Sequence, residues 1–326
     1  MRHLTRSWLA AALAVVFAAP TARASEPDAL LPAESDSVMY INVRQVLESD
    51  IIKKYALEQI KQALQGNDAQ KLLTDLGLDP LKDVQKIVIG ASGKDQSDMQ
   101  FLVVVHGKFE PEKLYKSAEA QTKKDADHFT LVKDGKDVIF KYQPDNGNPV
   151  YGTVVDESRV VLGGDKKTIT TALAASAAKK SGIGKELTSL VTRMDDKSSI
   201  WLASVVKGKL DKVKLPGGGG NPNLQGQLAG MENVTAVVRV GADVTVDISL
   251  GMKDVDAADE MAKTVKELLD TVRGALPFLA AQKPELKALA DAGKSLKSDV
   301  KEKNVVISAK LPGSAIGQLL KQGGDQ

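Results

Sequence analysis

Ser204 and Lys207, and again Ser298 and Lys301, stand at the S-x-x-K spacing of penicillin-recognising serine enzymes. In that chemistry the serine attacks a carbonyl and the lysine three residues on handles its proton. The serine must open a helix, so that both side chains return to one face; residues three apart in a strand point to opposite faces. Both copies fall in segments that read as strands, and the accompanying S-D-N and K-T-G elements are absent. They are chance matches. Gly293-Lys294-Ser295 has the tail of a phosphate-binding loop, but Ala288 replaces the leading glycine and a helical pattern precedes it, so Gly293 reads as a helix C-cap. Gly163-Gly164-Asp165 lies between a strand and a helix, where backbone N–H groups can take an anion. The Asp165 carboxylate fits that place itself, as the N-cap, and would repel a phosphate.

Metal chemistry has one loose set of donors, Asp125, Asp127 and His128, read as a solvated loop before a strand. His106 ends an apolar strand elsewhere, and no i, i+4 histidine pair or H-x-H spacing exists for zinc. Acid–base chemistry assembled from distant residues needs no local motif; Asp195, Asp196 and Asp211, with Lys207 or Arg193 nearby, are the groups it would draw on. Asn233-Val234-Thr235 matches a glycosylation acceptor but leads into a strand. Trp201, within Ile200-Trp201-Leu202-Ala203, is expected in the core. No residue is assigned a catalytic, cofactor-binding or metal-ligating role, and no cofactor is expected.

The chain has no cysteine, which removes disulfides, thiolate metal sites and thiol nucleophiles together. Its first 24 residues read as a signal peptide. Arg2 and Arg6 form a positive start, Trp8 to Ala19 an apolar run too short to span a bilayer, and Ala22-Arg23-Ala24 a small-x-small cleavage pattern. Cleavage after Ala24 would leave Ser25 first, which also denies the cysteine a lipoprotein needs there. No acidic residue and three arginines lie in the leader, so its removal takes the formal charge from +2 to −1. General attraction to nucleic acid or anionic lipid is unsupported. Aromatic residues are only 4% of the chain, few for stacking on sugars or bases. No later apolar run reaches the length of a membrane span.

Apolar runs predict short strands at 38–43, 86–91, 100–106, 129–133, 138–142, 150–155, 159–162, 199–206, 235–240, 245–250, 296–300 and 305–309. Helical spacing predicts helices over 45–65, 69–76, 110–124, 166–179 and 185–193, with another after Pro312. A longer helix carries Ala258, Met261, Ala262, Val265, Leu268, Leu269, Val272 and Leu276 on one stripe expected to cover a sheet. Pro277 and Pro284 are expected to break or kink the chain beyond that stripe. Residues 216–225, with glycines at 217–220, read as a flexible surface loop. A hinge at Ser181-Gly182 would divide residues 25–181 from 182–326. Each side has strands, a hairpin and a covering helix, which gives an α+β chain of two mainly antiparallel sheets, each covered on one face by helices.

The phrases LLPAESDSVMYINVRQVLES, GLDPLKDVQKIVIGASG, FLVVVHGKFEPEKL and SSIWLASV resemble a planctomycete-type family of uncharacterised exported bacterial proteins. The resemblance implies export and an α+β fold, and brings no catalytic residue, cofactor or ligand. The function expected is that of a periplasmic or secreted non-catalytic protein that binds a protein or envelope component, not nucleic acid. The alternatives are a hydrolase built from dispersed carboxylates and a small-ligand carrier with an apolar cavity beneath its helices.

Overall fold

The structure, a computed structural model, describes residues 25–65, 77–93, 98–134, 137–145, 147–178, 182–210, 224–282, 290 and 292–317. Its strands are β1 (Ser37–Ile41), β2 (Val84–Ser92), β3 (Gln100–Gly107), β4 (Phe129–Asp134), β5 (Asp137–Tyr142), β6 (Val150–Asp156), β7 (Arg159–Gly163), β8 (Ile200–Val205), β9 (Met231–Val240), β10 (Asp243–Met252), β11 (Lys297–Lys301) and β12 (Asn304–Pro312). Each expected strand is present within a few residues. Their grouping is not the expected one. Among the described residues all twelve join one sheet, in the order β11-β12-β10-β9-β8-β1-β2-β3-β7-β6-β5-β4, with antiparallel neighbours throughout.

The joint is β1. Tyr40 stands opposite Val88 of β2 on one side and opposite Trp201 of β8 on the other. The Tyr40 and Trp201 rings stack at 5.3 Å and 6°, and Trp201 is buried as expected. Hydrogen bonds therefore cross the expected division at Ser181-Gly182. The expectation of two sheets fails because pairing between segments so far apart in sequence leaves no local trace.

Helices lie on both faces, which corrects the second part of that expectation. In β3, Leu102 and Val104 pack with Ile169 and Ala172 of α5 (Lys166–Ala177) and with Leu187 of α6 (Lys185–Val191). Val105, facing the other way, packs with Leu114 and Ala118 of α4 (Pro111–Lys124). The third core joins Val234, Leu250, Val305 and Ile307 of the sheet to Met261 and Val265 of α8 (Val255–Gln282). Val237 belongs to the α6 side and Val234 to the α8 side, so these two helices cover opposite faces of β9.

The remaining helices are short. The segment expected as one helix over 45–65 is α1 (Val43–Glu48), a π-helical turn (Ile52–Ala56) and α2 (Leu57–Gln65). A single turn, α3 (Pro80–Asp83), precedes β2, and α7 (Leu224–Ala229) begins where the 216–225 loop was expected to continue. Pro277 does not end α8, which runs on to Gln282. The expected helix over 69–76, Ser181, Asp211, the glycines at 217–220, Pro284, Ala288 and residues 1–24 lie outside the described residues.

One element had no sequence signal. Residues 25–35 form an irregular strap laid on the α6 face, with Leu30 and Leu31 wholly buried in the central core. The backbone can come this close because two glycines face it. A Cβ on Gly90 would sit 2.8 Å from Leu31 Cδ2, and one on Gly182 would sit 3.1 Å from Ala33 Cα. The strap's Asp28 carboxylate lies 2.6 Å from His106 Nε2 at the end of β3, and it also accepts from the Leu30 amide at 3.0 Å.

Candidate functional site: a basic cleft beside α6

A cleft of about 390 Å³ opens where α6 leans over the ends of β8 and β9. Lys185, Ser189 and Arg193 recur at four-residue spacing, so α6 and the turn after it present them as one row. Val205 of β8 and Asn233 of β9, paired in the sheet, form the floor. Asn233 lies flat against Gly251, where a Cβ would be only 2.3 Å from Asn233 Oδ1. Lys207, Glu232 and Lys303 close the far wall.

Glu232 organises that wall. Its carboxylate accepts from Lys207 Nζ at 2.8 Å and from Lys303 Nζ at 3.2 Å, while its main-chain carbonyl accepts from the Val206 and Lys207 amides. Those lysine hydrogen bonds hold the Glu232 carboxyl below its usual 4.5, and the Glu232 carboxylate in turn raises Lys207 above its usual 10.5. A carboxylate shared by two ammonium groups leaves an excess of positive charge. Lys185, Arg193, Lys207 and Lys303 stand against Glu186 and Glu232. Among the described residues Arg193 bonds Ser189 Oγ, at 3.4 Å, which leaves most of its guanidinium donors open to the cleft. The arrangement suits a carboxylate, phosphate or sulfate group with a small apolar body resting on Leu190 and Val205.

Several residues weighed for chemistry lie elsewhere. Ser204 exchanges a 2.7 Å hydrogen bond with Ser37 across the β1–β8 pair, while Lys207 turns to Glu232, so the Ser204 and Lys207 side chains are engaged separately. Ser298 and Lys301 lie in edge strand β11. Asp165 caps α5 by accepting from the Thr168 amide at 2.8 Å. Gly293 ends a helical turn without the positive φ of a left-handed cap, and Ser295 Oγ is tied to the Ala292 and Lys310 carbonyls. Asp195 accepts from the Lys197 amide within its turn, and Asp196 meets Ser25 of the strap; among the described members of the dispersed acid–base set, Lys207 and Arg193 reach the cleft.

His128 is bracketed rather than free. Its Nδ1 lies 2.8 Å from Asp125 and its Nε2 2.8 Å from Asp145, which ties the β5–β6 turn to the end of α4. Both ring nitrogens can donate only in the imidazolium form, and these bonds raise the His128 pKa above 6.5. Asp127 takes no part in the bracket. Among the described residues no group of three acidic or histidine side chains could hold a metal ion.

The basic row on α6 was readable as spacing once a helix at 185–193 was assigned. Glu232 and Lys303 were not, because they arrive from a strand and a hairpin turn far along the chain. No family model and no curated protein matches this sequence. Among solved structures, crystal form I of TP0453 is similar over 93% of this chain and 99% of its own, at 8% identity and a TM-score of 0.49. No helix among the described residues is long and apolar enough to cross a membrane.

Proposed function

We propose that this is an exported, non-catalytic binding protein, and that the cleft beside α6 takes an anionic group of an envelope component. The observation that carries the reading is the charge of the cleft. Four basic side chains converge on it, and the carboxylate among them that faces two lysines is already neutralised. Export is supported by the positive, apolar and small-residue pattern of residues 1–24.

Envelope extract passed over immobilised residues 25–326 tests it. Components held by the wild type should be released by salt and should be absent from an Arg193→Glu/Lys303→Glu chain, because reversing two charges turns attraction into repulsion. Equal retention on both chains, or turnover of a hydrolase substrate by the wild type, would sink the reading.

A further inference from the structure

We infer that Met194 and Asp196 form a receptor for a free α-ammonium at Ser25, so that cutting the Ala24–Ser25 bond completes the fold. The inference rests on the export reading above. The Ser25 backbone nitrogen donates to the Met194 carbonyl at 3.1 Å, and its hydroxyl donates to the Asp196 carboxylate. The serine hydroxyl is one carbon out from the Cα that carries the nitrogen, so a charge on that nitrogen stands on the same residue that already meets the carboxylate. Among the described residues Asp196 has no lysine, arginine or histidine partner. Asp195 precedes it and Lys197 follows it, Lys86 Nζ lies 5.8 Å from the centroid of the Tyr40 ring, and burial together with the Asp196 and Asp195 charges pushes the Tyr40 hydroxyl up to about 12. Among the described residues neither lysine pairs with Asp196, so its carboxylate is open to a cation brought by the strap.

In the uncut chain the Ser25 nitrogen is a neutral amide whose one hydrogen is taken by Met194. Hydrolysis consumes one water. It breaks the Ala24–Ser25 C–N bond, leaves a carboxylate on Ala24 and, with the proton from that acid, an ammonium on Ser25. The ammonium keeps the Met194 bond and gains two donors and a charge for Asp196. The strap behind it is already anchored, through Asp28 on His106 and through Leu30 and Leu31 in the central core, so little extra ordering is needed to place the new terminus.

Three chains test this: residues 25–326 with a free Ser25, the same chain acetylated at Ser25, and residues 24–326. All described elements lie within the shortest of them. The free chain should melt about 2–4 °C above the other two. In an Asp196→Asn background the three should melt together, because the amide keeps the shape and loses the charge. A shared midpoint with Asp196 intact, or a gap that survives Asp196→Asn, would overturn the receptor. Should the Asp196→Asn chain fail to fold, acetylation alone still decides. Mass spectrometry of the protein exported by its host tests the cleavage separately. A start other than Ser25 overturns the maturation reading even if the gap exists, whereas a start at Ser25 without a gap overturns the receptor alone.

Discussion

His128 and Asp28 both tie distant parts of the chain together through a histidine–carboxylate contact, yet they should respond to pH in opposite directions. His128 sits on the surface with its pKa raised by Asp125 and Asp145. A raised histidine lends stability that is whole below 6.5 and is lost as pH climbs through the folded value. Asp28 is mostly buried. Burial pushes its carboxyl up, but the hydrogen bonds from His106 and the Leu30 amide and the charges of His106 and Arg159 outweigh this and hold it below 3.8. A depressed carboxyl lends stability present above 3.8 and lost as pH falls through the folded value. His128→Ala should therefore lower the melting point at pH 5.5 and leave it unchanged at pH 9. Asp28→Asn should cost about 1–3 kcal/mol at pH 7 through the weakened hydrogen bonds, with the gap to wild type narrowing below pH 4. Melting curves of the two variants across pH 3–9 check both signs.

Among the elements, the strands were legible to within about four residues at each end, because alternating or continuous apolar runs between turn signals such as Asp145-Asn146-Gly147 fix a strand locally. The long helix was legible in existence and in role, since it covers the sheet, and misleading in extent. Its apolar stripe was expected to cover a sheet from Ala258 to Leu276, but only Ala258, Met261, Thr264 and Val265 are buried. Leu268 and Val272 are half exposed, and Phe278 is 67% exposed. Periodicity reports which side chains share a face, and not how far the neighbouring sheet extends beneath them. Met261→Ala should accordingly cost about 2–5 kcal/mol by opening a cavity over Met252 and Val305. Phe278→Ser should stay within about 0.5 kcal/mol of wild type. Urea unfolding of the two variants separates a covered from an uncovered stretch of one helix. The strap at 25–35 was illegible for the converse reason: it has no period, and its seat exists only because of the room left by Gly90 and Gly182.

At the scale of the molecule, the sheet of described strands ends in β11 on one side and β4 on the other. β11 carries Lys297, Asp299 and Lys301, a charged rim that discourages pairing with another chain. The candidate cleft could be found only once the sheet had brought residues 185–193, 232–233 and 303 together. Trp201 holds the middle of that sheet, and Trp201→Ala should cost about 3–5 kcal/mol. Tyr40 and Trp201 tie residues from both sides of Ser181 into one core, so the loss should show as a single cooperative unfolding step shifted to lower urea.

The placement of β1 also sets a timetable. A ribosome delivers Ser37–Ile41 among the first residues of the chain and its partner β2 soon after, but Ile200–Val205 arrives much later. Until then one long side of β1 offers bare amides and carbonyls to whatever strand comes near, and no intermediate length of nascent chain can close the sheet. Under the export reading proposed above, that delay in completing the sheet would favour passage through a translocation channel before folding is finished.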